Sequence, residues 1–189
     1  TCDGKKKAWE ILAEDVPVHV MDLPQMKRRK DIIAWAEEIK EFKDVVEKTT
    51  GNLISPESLN AAIHLINDKR RALARLYELR KQEKLPISGT DCLVISQIAF
   101  YDDPMRFTQM TNKLCDELDE RVKSGISVFK EGTKRIMITG TPMAIPNWKL
   151  HHIVETSGAA VVCEETCTGV RYFERLVEEK QGTIEEQIN

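Results

Sequence analysis

No apolar run in this chain approaches the roughly 18–20 residues that would span a bilayer, which excludes a membrane helix. The opening Thr1-Cys2-Asp3-Gly4-Lys5-Lys6-Lys7 carries charge, but no apolar run of about 7–15 residues follows it, so it does not read as a secretory signal. Charge of one sign is also missing. Lys and Arg number 28 against 31 Asp and Glu, a net charge of −3, which gives no general electrostatic reason to bind nucleic acid. There is no G-x-G-x-x-G and no G-x-x-x-x-G-K-S/T, so the chain supplies no dinucleotide or ATP phosphate cradle of its own. There is no G-x-S-x-G nucleophile elbow. Cys-x-x-Cys pairs are absent, and a zinc site from Cys163, Cys167 and a histidine lacks the spacing that would support it. Neither an internal repeat nor a low-complexity stretch occurs.

What is present fits a soluble globular protein of one or two domains. Of the 189 residues 41% are hydrophobic and 31% charged, enough to bury a real core. The five cysteines are an odd number, which argues for reduced thiols or metal ligands rather than a disulfide framework.

The pattern predicts a short helix over Lys5 to Glu14, capped by Asp3, with Trp9, Ile11 and Leu12 as its apolar contacts. Val16 to Met21 is β-branched and of strand length. From Asp31, apolar residues at Ile32, Trp35, Ala36, Ile39, Phe42, Val45 and Val46 make a helical stripe that Gly51 and Asn52 end. Ser55-Pro56 starts a second long helix. Cys92 to Tyr101 fits a buried helix or a strand, and its surroundings favour helix. Asp103-Pro104 starts a further helix running to about Lys123. The last third changes character: a strand over Arg135 to Thr139, a helix over Asn147 to Thr156, and a strand over Ala159 to Cys163. This is a βαβ unit with parallel strands. A charged helix is expected over Tyr172 to Asn189.

In open parallel sheets, ligands bind beyond the carboxyl ends of the strands. Gly140-Thr141-Pro142 and Cys163-Glu164-Glu165-Thr166-Cys167-Thr168-Gly169 must therefore share one edge. Cys2 joins them if a strand precedes it, and a thiol at a helix N-terminus ionises more easily. Cys163 reads equally well as a small apolar residue ending a buried strand. Cys167, in a polar loop, is harder to explain by packing. Cys92 and Cys115 lie on helical patterns and read as core thiols. His151 and His152 point to different faces of one helix, so a solvated pair is expected rather than a shared metal. Lys69, Arg70, Arg71, Arg75, Arg80, Lys81 and Lys84 read as a solvated helix face, or as a docking face for an acidic or phosphate-bearing partner. No residue stands out as catalytic.

Thr1-Cys2-Asp3-Gly4-Lys5-Lys6-Lys7, Gly140-Thr141-Pro142-Met143-Ala144 and Cys163 to Phe173 together resemble the 2-hydroxyacyl-CoA dehydratase family. That family also holds benzoyl-CoA reductase subunits and double-cubane-cluster proteins. Ile87-Ser88-Gly89-Thr90-Asp91 and Ala99-Phe100-Tyr101-Asp102-Asp103-Pro104 carry the likeness through the middle of the chain. The resemblance implies an α/β fold with a large helical segment, in which parallel-sheet, Rossmann-like lobes are joined by a helical region. Residues 1–25 would end the first lobe, 26–130 form the helical region, and 131–189 begin the second lobe with its βαβ unit at 135–163. Members are about twice this length, so the expectation is that a part before and a part after lie outside these residues.

The resemblance also implies an iron–sulfur cluster, 4Fe–4S or double-cubane, with Cys2 and Cys167 as ligands and Cys163 as an extra one. Thr141, Pro142, Thr168 and Gly169 would line the substrate pole. Thr141 stands where some relatives carry a cysteine, which leaves the cluster type open. The implied activity is that of a lyase acting on a CoA thioester. A separate ATP-hydrolysing iron–sulfur activator injects one electron, the 2-hydroxyacyl-CoA loses its hydroxyl through a ketyl radical, and the electron is recycled. A second homologous subunit or a homodimer, and a reducing, anaerobic cytoplasm, complete the expectation. Competing readings are a double-cubane-cluster reductase of small molecules and a non-catalytic α/β interaction subunit.

Overall fold

A computed structural model describes residues 3–143 and 148–179. Their order is α1 (Asp3–Leu12), α2 (Arg29–Thr50), α3 (Pro56–Leu79), α4 (Gly89–Ile98), α5 (Pro104–Lys123), β1 (Lys134–Thr139), α6 (Lys149–Thr156), β2 (Ala159–Glu165) and α7 (Val170–Phe173). Contacts divide the chain into residues 1–60 with 179–189, and residues 61–178.

In the first unit, α2 forms where the apolar stripe predicts it. The Arg28 N–H donates to Asp31 Oδ2 at 3.1 Å, and its Nε to the same oxygen at 2.7 Å, closing the N-terminus. Gly51, at φ 72°, ends the helix in the left-handed conformation that favours glycine, its N–H donating to Glu47 O at 2.8 Å. The strand expected over Val16 to Met21 does not form. The only strands among the described residues are β1 and β2, which pair with each other, so this segment has no ladder to join and β-branching alone cannot hold it extended. Trp9, Ile11 and Leu12 are exposed rather than buried contacts.

The second unit holds the core. Leu76, Leu79, Ile87, Cys92, Cys115 and Leu118 form one cluster; Leu73, Tyr77, Ala99, Phe107 and Phe173 form another. At about 1.5–3 kcal/mol for each fully buried large apolar side chain, these two clusters are the main apolar stabilisation here. Cys92 and Cys115 are fully buried, as their helical positions predict. Asp103 caps α5 by accepting from the Arg106 N–H at 2.9 Å.

β1 and β2 are parallel, with α6 between them in sequence, so the predicted βαβ unit forms. The pairing skips Val162: Ile136 faces Val161, while Met137 faces Cys163. This bulge resets the alternation, so Val161 and Glu164, three residues apart, are both buried. The N-terminus of α4 is pinned to this unit. Glu155 of α6 accepts from the Gly89 N–H at 2.7 Å and from Thr90 Oγ1 at 2.6 Å, placing a carboxylate where the helix dipole favours it. A Cβ on Gly89 would lie 2.5 Å from the Val161 carbonyl oxygen, so only glycine permits this approach. The Ile87 to Asp91 motif thereby acquires a structural cause.

The charged helix expected over Tyr172 to Asn189 ends at Phe173. The Asn67 side chain accounts for the stop: its Nδ2 donates to the Val177 carbonyl at 2.8 Å, and its Oδ1 accepts from the Val177 N–H at 3.1 Å. Backbone groups held this way are withdrawn from a helix. Residues 180–189 lie outside the described residues. No helix among the described residues is long and apolar enough to cross a membrane.

Candidate functional site

The two loops expected at one sheet edge do adjoin. Thr139 is in register with Glu165, and the Gly140 N–H donates to the Glu165 carbonyl at 3.3 Å. Gly140, at φ 122°, turns the chain in a conformation that other residues rarely adopt. Thr141 is exposed and Pro142 half-buried. The Gln97 amide of α4 donates to the Met143 carbonyl and ties this loop down.

After β2 the chain makes a closed turn. The Gly169 N–H donates to the Thr166 carbonyl at 3.1 Å. A Cβ on Gly169 would fall 2.1 Å from the Glu164 carbonyl oxygen, so a side chain there would force the turn open. Thr166 is buried, Thr168 half-buried, and Cys167 exposed. Cys163 is half-buried and lines a cavity of about 420 Å³ with Tyr77, Arg80, Lys81, Arg135, Val170 and Phe173; Cys167 does not line it. Burial, then the adjacent Glu164 charge, raises the Cys163 thiol above its usual range. Burial pushes Cys92 to about 12 and Cys115 to about 11, so both are inert thiols near neutral pH. Cys2 lies outside the described residues.

Beneath this pole sits a buried ionic network that sequence patterns do not reveal. Glu164 accepts from Tyr77 Oη at 2.7 Å, from Arg80 Nη1 at 2.7 Å and Nη2 at 3.0 Å, and meets His151 Nε2 at 2.8 Å. Arg80, Glu164 and His151 are 1%, 2% and 0% exposed. Burial alone would raise the Glu164 carboxyl, but hydrogen bonds from His151 and Arg80, with the Arg80 charge, bring it down to about 2. Burial and the Glu164 charge push the Tyr77 hydroxyl well above its ordinary value. A carboxylate so fully engaged is a poor proton acceptor, and its effect is to fix β2 against α3 and α6. Arg80 Nη2 also donates to the Val161 carbonyl at 2.9 Å, the bond adjoining the bulge.

Two expectations are corrected. His151 is not half of a solvated pair: it is buried in the network, while His152 on the other face is exposed. The basic run is not one solvated or docking face. Lys69 is buried and donates to the Ala99 carbonyl at 2.9 Å, Arg80 is in the network, and Arg75 pairs with Asp116 and Asp119 at 2.7 and 2.6 Å. Helical rotation distributes the charges around α3, and the last turn meets β2.

On the outer side of β2, Glu165 forms a second clamp. Thr139 Oγ1 donates to its Oε2 at 2.6 Å, and Arg171 grips both oxygens, with Nη2 to Oε2 at 2.7 Å and Nε to Oε1.

Among the described residues no group of three or more His, Cys, Asp or Glu side chains converges as a metal site. A 4Fe–4S cluster uses four thiolates. The donors present, a half-buried Cys163 and an exposed Cys167 at a rigid strand end, fit a contribution to such a set and not the whole of it.

The family described as "2-hydroxyglutaryl-CoA dehydratase, D-component" matches residues 1–188. The chain is 37% identical over 185 residues to "Putative dehydratase subunit YjiM" of Escherichia coli (strain K12), covering 95% of this chain and 47% of that one. It is 24% identical over 159 residues to a benzoyl-CoA reductase subunit of Thauera aromatica, covering 83% and 40%. The chain thus spans about half the length of the curated relatives it matches.

Proposed function

From the premise that this chain belongs to the 2-hydroxyglutaryl-CoA dehydratase D-component family, we propose that it is part of an iron–sulfur lyase subunit that removes water from a 2-hydroxyacyl-CoA. The observation that carries the reading is the placement of Cys167 on an exposed, tightly closed turn at the carboxyl end of a parallel βαβ unit, where α/β folds bind ligands. In this reading Cys167 and Cys2 are ligands, Cys163 is an extra one, and Thr141, Pro142, Thr168 and Gly169 border the substrate. Residues 1–25, 26–130 and 131–189 are the end of one Rossmann-like lobe, a helical region and the start of a second lobe.

A bound cluster supplies one-electron chemistry at low potential to the thioester carbonyl. The residues described above do the rest. Cys167 is presented outward, the Gly140 and Gly169 turns keep the two loops close to the reacting pole, and the Glu164 network holds β2 rigid beneath it. An ATP-hydrolysing iron–sulfur activator, a second homologous subunit or second copy, and a reducing cytoplasm belong to the same proposal. The likeness to a benzoyl-CoA reductase subunit favours, as a second reading, a reductase built on the same scaffold.

Anaerobic purification of the intact protein tests both. The expected result is a brown protein containing iron and acid-labile sulfide; a colourless protein free of both contradicts both readings. Water loss from a 2-hydroxyacyl-CoA, assayed with the activator, separates lyase from reductase.

A further inference from the structure

The side chains of Phe100 and Tyr172 each belong to a motif that carries the family likeness, have no part in the site described above, and meet. Their ring centroids are 4.7 Å apart. Lys69 of α3 brings its ammonium to 5.9 Å from the Phe100 ring centre and 5.5 Å from that of Tyr172, and the Arg70 guanidinium lies 5.0 Å over the Tyr172 ring. Neither cation has a carboxylate partner among the described residues. Acids close by in sequence are engaged elsewhere: Asp68 pairs with Arg71, and Asp102 with Arg106. Lys69 is 6% exposed and spends one of its three donors on the Ala99 carbonyl. Arg70 is half-buried, and its Nε is buried without a hydrogen-bond partner. A buried positive charge without a counter-charge, with an orphaned donor on the next residue, is costly unless an anion completes the pair. Stacking on Tyr172 also fixes the plane of a guanidinium whose fork matches phosphate.

The cluster is tied to both loops of the pole. The Tyr172 N–H donates to the Gly169 carbonyl at 3.0 Å, in the turn that follows Cys167, and Gln97, three residues before Phe100, holds the Met143 carbonyl. Resting on the reading that the substrate is a CoA thioester, we propose that Lys69 and Arg70, set on the Phe100 and Tyr172 rings, bind phosphate groups of the CoA moiety. Lys69 supplies a buried charge, and Arg70 supplies paired donors in a plane that Tyr172 sets. The phosphates are anchored on α3 while the thioester reaches the pole.

The test is calorimetric titration of the intact, anaerobically purified protein with CoA, with a 2-hydroxyacyl-CoA and with pantetheine, which carries the thiol but no phosphate, beside Arg70→Gln and Arg70→Lys. The wild type is expected to bind CoA at least about tenfold more tightly than pantetheine, with an affinity for CoA that falls as salt rises. Arg70→Gln is expected to lose most of that advantage. Arg70→Lys, which keeps the charge without the planar fork, recovers part of it. Equal affinities for CoA and pantetheine in the wild type, a comparison that needs no variant, would overturn the site. So would an advantage that Arg70→Gln leaves intact; either result leaves the thioester reading standing. A wild type that binds neither CoA nor a 2-hydroxyacyl-CoA would overturn that reading and this inference together.

Discussion

Two regions of the second unit use the same residue type to opposite ends. In the helical core, Cys92 and Cys115 are sealed among Leu76, Leu79 and Leu118, and burial lifts their thiols to about 12 and 11. At the carboxyl pole of the sheet, Cys163 borders a cavity and Cys167 is exposed. The core spends its cysteines as small apolar groups. The pole keeps them accessible and holds them in place with carboxylates, Glu164 inward and Glu165 outward. Place in the fold, rather than residue type, separates a packing thiol from a candidate ligand.

The largest expected effect comes from breaking the inner clamp. Glu164→Gln leaves the Arg80 charge buried without its counter-charge, and removing one partner of a buried pair costs about 3–5 kcal/mol. Urea unfolding should show a loss of that size. A loss below about 1 kcal/mol, the range of exposed pairs, would mean that the pole is not held as described.

Acid should act on the same contact. The Glu164 carboxyl sits at about 2 when folded, against 4.5 ordinarily. A lowered folded value stabilises above the unfolded one, so the contribution is complete above about pH 5 and is lost as pH falls toward 2. The difference is on the order of 3 kcal/mol. Stability measured from pH 6 to pH 2.5 should decline, and Glu164→Gln should flatten that decline. A variant that follows the wild-type curve would place the acid sensitivity elsewhere.

Thiol labelling, which leaves stability untouched, sharpens the comparison. In the native protein, stripped of any metal, an alkylating reagent at pH 8 should modify Cys167 first and Cys163 more slowly. Cys92 and Cys115 should react only on unfolding. Mass-spectrometric mapping that found Cys92 modified as fast as Cys167 would erase the distinction between the two regions.

Local rules made much of this legible in the sequence. The three-and-four spacing marked α2, and Gly51, Ser55-Pro56 and Asp103-Pro104 marked helix ends because capping is short-range chemistry. The core roles of Cys92 and Cys115 followed from their apolar neighbours. The βαβ unit, and the shared edge it imposes on Gly140 and Cys167, followed from strand length and connection. What stayed hidden depends on distant partners. Arg80 and Glu164 lie 84 positions apart, and nothing local marks them as a pair. The bulge at Val162 shifts which residues of β2 face inward, so strict alternation misplaces Glu164. Val16 to Met21 has strand composition without a neighbour to pair with, and Asn67 halts the last segment from 110 positions away.

The most direct test compares one thiol from each region. Iron and acid-labile sulfide per chain should be measured for the anaerobic wild type, Cys167→Ala and Cys115→Ala. The account predicts that Cys167→Ala lowers the cluster content while Cys115→Ala retains it at the wild-type level. Full content in Cys167→Ala, or equal losses in both variants, would contradict it.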